Sequence, residues 1–273
     1  MSTQTDTPKV ILTIAGSDSS AGAGIQADLK TIAANGGYAC SVITAVTAQN
    51  TRGVIESYPL PPDLVKAQIE AIFSDFNVAA VKIGMLGTAA IVKAVIAALK
   101  KHHARNIVCD PVMLSTSGKT LLEQEGVALC RKELFPICTL ITPNLPEFAA
   151  LTGLEMPLTD SMLTASRETL GSRWLLVKGG HTETADYVSD WLVGESNEIS
   201  QFNAQRIETR NSHGTGCTLS SAIATNLAKG IPMPEAVRLA KTYLTTCLAA
   251  GAHWQLGDGH GPMNHFPVSV YDL

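Results

Sequence analysis

Apolar positions along this chain fall into two alternating rhythms. Short runs rich in Val, Ile and Leu are continuous rather than alternating, as in KVILTIAG, ACSVITAVTAQN, AAVKIGM, RNIVCDPVM, CTLITPN and RWLLVKGG. Such runs are expected of strands covered on both faces. Between them lie longer segments with apolar residues three and four apart: GIQADLKTIAANGG, PPDLVKAQIEAIFSDF, TAAIVKAVIAALKKHH, LPEFAALTG and SMLTASRETLGS. These predict helices, with proline at the head of the second and glycine closing the first and fourth. From Asp186 to Glu208 the rhythm changes, and YVSDWLV and ISQFNAQRIE predict a hairpin across GESNE. Two further helices are predicted over Thr215 to Ala228 and Pro234 to Gly251.

Parallel strands need crossover helices, so this order predicts an α/β fold: a mostly parallel, doubly wound central sheet with helices on both faces, in three layers. No linker or repeat interrupts it. Residues 1–9 are expected to be a flexible tail and residues 10–273 a single domain. In such sheets a ligand lies beyond the carboxyl ends of the strands. The polar and glycine-rich punctuation falls there, in GSDSSAGAG, AQNT, GMLGT, CDPVM, TPNLPE, KGGH and NSHGTGC.

Composition narrows the picture. The 273 residues are 45% hydrophobic and 16% charged, which permits a large core and argues against disorder. The net charge of −4 is spread without basic runs, so neither nucleic acid nor a membrane surface is an expected partner. The six cysteines lie far apart without a C-x-x-C pair, which argues against a disulfide framework or a zinc site. MSTQTDTPK is polar, and no segment has eighteen consecutive apolar residues, so the expected location is cytoplasmic.

Two short motifs mislead. GAGIQA matches the dinucleotide pattern G-x-G-x-x-A, but SDSSA separates it from Gly16, and the acidic residue expected about twenty positions on is missing. SGKT resembles the end of a P-loop, yet Met113 stands where the opening glycine belongs. His102 and His103 are expected to be solvated cations at a helix C-terminus.

The candidate chemistry centres on GTGC. Gly214, Thr215 and Gly216 form the turn into a predicted helix, so their amides and the helix dipole form an anion hole. Cys217 stands beside it, and its thiol pKa is expected to be lowered by the dipole. The bland alternative is a small buried hydrophobe behind packing glycines. Lys178 ends a strand where it can reach a phosphate. Asp110 at one strand terminus and Glu147 at another form a carboxylate pair of a type suited to hydrated Mg2+. Asn144 and Glu147 also have the spacing of a capping box.

Together, IAGSDSSAGAGIQADLKT, SVITAVTAQNTRGV, VKIGML, CDPVMLSTSG, LITPNLPE, LLVKGGH, HGTGCTLSSAIA and GHGPMNHF resemble the hydroxymethylpyrimidine/phosphomethylpyrimidine kinase branch of the ribokinase superfamily. The resemblance runs in order along nearly the whole chain and implies a ribokinase-like fold. It implies ATP-dependent phosphorylation of 4-amino-5-hydroxymethyl-2-methylpyrimidine and of its monophosphate, with Mg2+ and a homodimer. It assigns Cys217 to the base position and Lys178 to the phosphates. Asp110, Asn144 and Glu147 fall to the ATP side, and Asp110 and Glu147 to the metal, through water. Gln49 reads the pyrimidine edge, while Gly16, Ala23, Asp28, Met85 and Val112 line the pocket. Asp28 has the alternative reading of a solvated helix face. Ala21 replaces a glycine common in the family, and the segment TETA after His181 is short; both bear on substrate preference. A pyridoxal kinase is the nearest alternative. A pyrimidine sensor without activity would be expected to lack Lys178, the glycine turn or Cys217.

Overall fold

The strand order follows from where helices carry the chain. In the computed structural model, which describes residues 7–114, 118, 120–180 and 186–267, β1 (Val10–Asp18) pairs with β2 (Tyr38–Asn50) after α1 (Gly24–Ala34). After β3 (Gly53–Pro59) and α2 (Pro62–Asp75), the chain returns to the other side of β1 as β4 (Val78–Ile83). The sheet then grows outward through β5 (Ile107–Cys109), β6 (Leu140–Ile141) and β7 (Trp174–Lys178), and ends in the antiparallel β8 (Tyr187–Val193) and β9 (Ile199–Gln205). The order is β3-β2-β1-β4-β5-β6-β7-β8-β9, with β2, β1, β4, β5, β6 and β7 mutually parallel. The winding reverses between β1 and β4, which is where an open α/β sheet offers a crevice.

Successive side chains point to opposite faces, and two cores result. Leu12, Ile14, Val81, Ile83 and Val177 face α2, α3 (Ala89–Lys101), α5 (Leu145–Thr152) and α6 (Asp160–Leu170), meeting Val65, Ile69, Ile91, Phe148 and Leu163. Their neighbours Ile11, Ala80, Val108, Leu140 and Leu176 face α1, α7 (Thr215–Ala228) and α8 (Met233–Gly251), meeting Ile32, Leu219, Ile223, Val237 and Ala240. The three layers expected from the sequence are present. Helix α7 is buried at every position from Thr218 to Ala228, so its hydroxyls need internal partners. Ser220 donates to the Gly216 carbonyl at 2.8 Å and Thr225 to the Ser221 carbonyl at 2.8 Å.

Several expectations are corrected. The run after Asn50 forms β3, a second strand hidden from sequence reading because it is exposed and lacks a clean alternation. The strands predicted over RNIVCDPVM and CTLITPN shrink to three and two residues, since their C-terminal halves turn into the crevice. A short helix, α4 (Gln124–Leu129), followed by a π turn, was not foreseen. His102 is not a free solvated cation: its Nε2 lies 2.8 Å from Glu70 Oε2 and its ring stacks on Phe73 at 4.7 Å. The Thr182–Ala185 segment and part of SGKT lie outside the described residues.

His265, in the stretch after α8, packs on α7 with Nε2 3.1 Å from Thr218 Oγ1. Burial, with the charge of Lys30, pulls its pKa from 6.5 down to about 4. The unfolded chain therefore binds the proton more readily, and stability falls as pH drops from about 6.5 toward 4. In denaturant titrations at pH 7 and pH 4.5, the wild type should lose about 2 kcal/mol more on acidification than His265→Gln does.

Candidate active site

Loop Asn211–Gly214 leads into α7, and Gly214 takes φ +85°, a left-handed conformation suited to glycine. A Cβ on Gly214 would run into the Gly22 carbonyl, so the turn packs directly on the β1–α1 loop. Among the described residues, no side chain caps α7, though the Thr215 amide donates to the Ser212 carbonyl at 3.3 Å. A Cβ on Gly216 would sit 3.0 Å from Asp110 Oδ2 and 3.2 Å from Lys178 Nζ. Lys178 Nζ donates to Asp110 Oδ1 at 2.6 Å, and Thr142 Oγ1 donates to the same oxygen at 3.1 Å. Three strand ends and one helix start thus converge on one spot. Glycine at 216 lets the ammonium and carboxylate reach the helix terminus.

Glu147 and Asn144 form the capping box of α5: Asn144 Oδ1 accepts from the Glu147 amide at 2.8 Å, and Glu147 Oε2 accepts from the Asn144 amide at 2.9 Å. Burial pushes the Glu147 carboxyl up to about 7; Lys178 opposes the shift and Asp110 adds to it. The set of Asp110 and Glu147 beside Lys178 offers hard oxygen donors in number suited to a cation that keeps water and phosphate ligands. Asp110 Oδ2, turned toward Gly216, is the oxygen best placed for that.

Cys217 follows Gly216 and keeps part of its surface exposed. Its thiol is not lowered as expected: burial pushes it up to about 11, with Lys82 and a hydrogen bond from the Gly24 amide pulling the other way. Desolvation here, with the nearby Asp28 and Asp110 charges, outweighs the pull of Lys82 and the Gly24 amide. The sulfur nevertheless has polar surroundings, since Lys82, Asp28 and Asp110 all act on it.

Asp28 departs from both of its expected readings. It is fully buried beneath the crevice, with Lys82 Nζ 2.8 Å from each carboxylate oxygen, Thr13 Oγ1 at 2.6 Å and Ser221 Oγ at 2.8 Å. It neither faces solvent nor offers a free oxygen to a ligand. Burial pulls Lys82 down, but Asp28, Cys217 and Asp110 outweigh it, and the lysine stays charged. Removing one partner strands the other charge. Asp28→Asn is expected to cost about 3–5 kcal/mol in urea unfolding, and adding Lys82→Met should recover part of it.

The other pocket residues lie around the ends of β1, β2, β4 and β5. A Cβ on Gly16 would touch Met85 Sδ at 3.0 Å, so those two meet. The half-buried Val112 follows Asp110, and its amide donates to the Asp110 carbonyl at 2.8 Å. Gln49 reaches His213, with Nε2 3.0 Å from the ring Nε2. Ala23 contributes its amide to Asp18 Oδ2 at 2.8 Å. Ala21 adopts φ +61°, and its carbonyl accepts from Lys30 Nζ at 2.6 Å.

Asp18 and His213 were missed from the sequence. Asp18 Oδ2 accepts from the Gly22 and Ala23 amides at 3.1 and 2.8 Å, and Oδ1 from the Ser20 amide and hydroxyl at 2.8 and 2.7 Å. Although burial pushes upward, bonds from His213, Ser20 and Ala23 hold its carboxyl at about 2. This explains why GAGIQA is no dinucleotide site: the amides that would greet a phosphate are filled by the chain's own carboxylate. The signal was an acid inside a Gly/Ser loop and a histidine immediately before GTGC.

The phosphomethylpyrimidine kinase family model matches residues 18–264. The hydroxymethylpyrimidine/phosphomethylpyrimidine kinase of Salmonella typhimurium is 47% identical over 258 residues, covering 93% of this chain and 96% of that protein. Among solved structures, phosphomethylpyrimidine kinase from Clostridium difficile superposes with TM-score 0.76 at 45% identity, covering 87% of this chain and 98% of that one. An ADP complex of Bacillus subtilis pyridoxal kinase superposes with TM-score 0.85 at 32% identity, covering 95% and 98%. The sequence resemblance and the ribokinase-like layering therefore agree, and the chain belongs to the phosphomethylpyrimidine kinase family.

Proposed function

We propose that this protein transfers the γ-phosphoryl group of ATP to the hydroxymethyl of 4-amino-5-hydroxymethyl-2-methylpyrimidine, and a second to the resulting monophosphate, in thiamine biosynthesis. The observation that carries this reading is the meeting of Lys178, Asp110 and Gly216 at the uncapped start of α7, with Cys217 next in line. A migrating phosphoryl group is stabilised mainly by positioning and by neutralising its charge. The α7 amides, including those of the Gly214–Gly216 turn, and the Lys178 ammonium supply both. Bound Mg2+, held by Asp110 and Glu147 through water, would add charge neutralisation at the phosphates. Cys217, as thiolate, accepts the hydroxyl proton as the new O–P bond forms, and ADP departs with the bonding pair. Asn144 serves by fixing Glu147. Gln49 meets the pyrimidine edge with a donor and an acceptor side by side, while Gly16, Ala23, Met85 and Val112 wall the ring.

The second reading, phosphorylation of pyridoxal, draws on the likeness to the Bacillus subtilis pyridoxal kinase. A homodimer is part of the same proposal, supported by exposed Val46, Ile55 and Tyr58 on the paired β2 and β3. A cytoplasmic location belongs to it as well; among the described residues no helix is long and apolar enough to cross a membrane. ATP consumption should be measured with the pyrimidine alcohol, its monophosphate and pyridoxal. Turnover of the first two is expected. Turnover of pyridoxal alone would replace this function with the second reading.

A further inference from the structure

His213 stands between the two groups that organise the ring pocket. Its Nε2 lies 2.9 Å from Asp18 Oδ2 and 3.0 Å from the Gln49 side-chain amide. The ring edge lies close against Gly22, where an added Cβ would overlap its Cδ2, and the His213 amide anchors the backbone by donating to the Gly261 carbonyl at 3.1 Å. Counting protons decides how these bonds run. Asp18 is held ionised, so it only accepts, and His213 Nε2 must carry a hydrogen toward it. That nitrogen then has no lone pair left for an amide N–H of Gln49.

At the other end of the amide, Thr47 Oγ1 lies 3.2 Å from the Gln49 terminus and spends its single hydrogen on the Ser17 carbonyl at 2.9 Å. Thr47 can therefore only accept from Gln49. Both ends therefore favour exchanging the oxygen and nitrogen as placed, with the carbonyl oxygen toward His213, where it shares the Nε2 hydrogen with Asp18, and the NH2 toward Thr47. The backbone is fixed as well, since Ser19 Oγ donates to the Gln49 carbonyl at 2.8 Å and accepts from its amide at 2.9 Å. Each amide end keeps one unused bond for a ligand, the acceptor on the His213 side and the donor on the Thr47 side.

We propose that His213 is a specificity-determining positioning residue: through Asp18 and the amide of Gln49 it sets the direction in which the pocket reads an amino group beside a ring nitrogen. The inference rests on the pyrimidine reading of the site. It assigns to the chain a preference for aminopyrimidine edges over pyridine rings that lack the amino group.

Two measurements test it. Nitrogen-15 spectroscopy of the ligand-free protein should find Nε2 of His213 protonated, and an unprotonated Nε2 would overturn the proposal. The second measurement is kcat/KM for the pyrimidine alcohol relative to pyridoxal in His213→Leu and His213→Gln, where Gln returns a donor. The Leu variant should lower that ratio about tenfold or more, mainly through KM, because the half-buried Gln49 oxygen loses its donor. The Gln variant should recover most of it. Equal losses on both substrates, or equal ratios in both variants, would show a merely structural role. With Gln49→Ala already present, His213→Leu should leave the ratio unchanged, and a further fall would also refute the proposal. If the native protein does not turn over the pyrimidine, the proposed function fails while the tautomer still judges His213.

Discussion

Replacing Cys217 by alanine should lower kcat by about 10²–10⁴-fold, with KM for the pyrimidine changed by less than about threefold. The loss falls on kcat because the sulfur acts on a proton that moves only as the new bond forms. The raised thiol makes a second, signed expectation. With the free-protein thiol at about 11, the reactive thiolate is a minority at neutral pH and grows as pH rises. Wild-type turnover should therefore climb between pH 7 and 9. Cys217→Asp, which offers a carboxylate already ionised, should flatten that climb. Steady-state kinetics across this range checks both. A Cys217→Ala enzyme with undiminished kcat would leave the thiol as packing.

Lys178→Met should be the other large loss, about 10²–10³-fold in kcat, the usual scale for removing one preorganised charge from a transition state. The residue is partly buried, and although burial pulls its pKa down, Asp110 and Glu147 outweigh that and raise it. Removing it does more than delete a cation. Asp110 loses its 2.6 Å partner, and Glu147, already raised by burial and by Asp110, loses the cation that opposes that rise. KM for ATP should rise along with the fall in kcat. Lys178→Arg should restore little, because a planar fork does not fit the space beside Gly216 that a point charge occupies. Circular dichroism separates this from unfolding, and an enzyme of near-normal kcat would remove Lys178 from the chemistry.

Much of this architecture could be read in advance. Continuous apolar runs between helical periods revealed the parallel strands, and their glycine-rich ends located the crevice before any side chain was placed. The bounds of α7 were legible because Gly214 stops one conformation and a small-residue helix begins another. What escaped has a common physical cause: periodicity reports burial, not partners. Lys82 and Asp28 lie far apart in sequence and inside apolar patterns, so nothing local signals that each satisfies the other. For the same reason Asp18 passed as loop polarity, and the Cys217 thiol was judged by its helix end rather than by the burial that dominates it. β3 was lost because an exposed edge strand carries no apolar stripe.

The stretch after α8 recrosses the molecule to hold its two halves together. The Gly259 amide donates to Thr51 Oγ1 at 3.1 Å and the His260 amide to the Thr51 carbonyl at 2.8 Å. Asn211 Nδ2 reaches the Gly251 and Trp254 carbonyls, each at 2.8 Å, just ahead of the α7 turn. During synthesis the whole sheet emerges from the ribosome before this buckle does, so the nascent domain gains its shape first and its working crevice last. A message cut short after Gly251 would accordingly yield a layered but catalytically loose polypeptide.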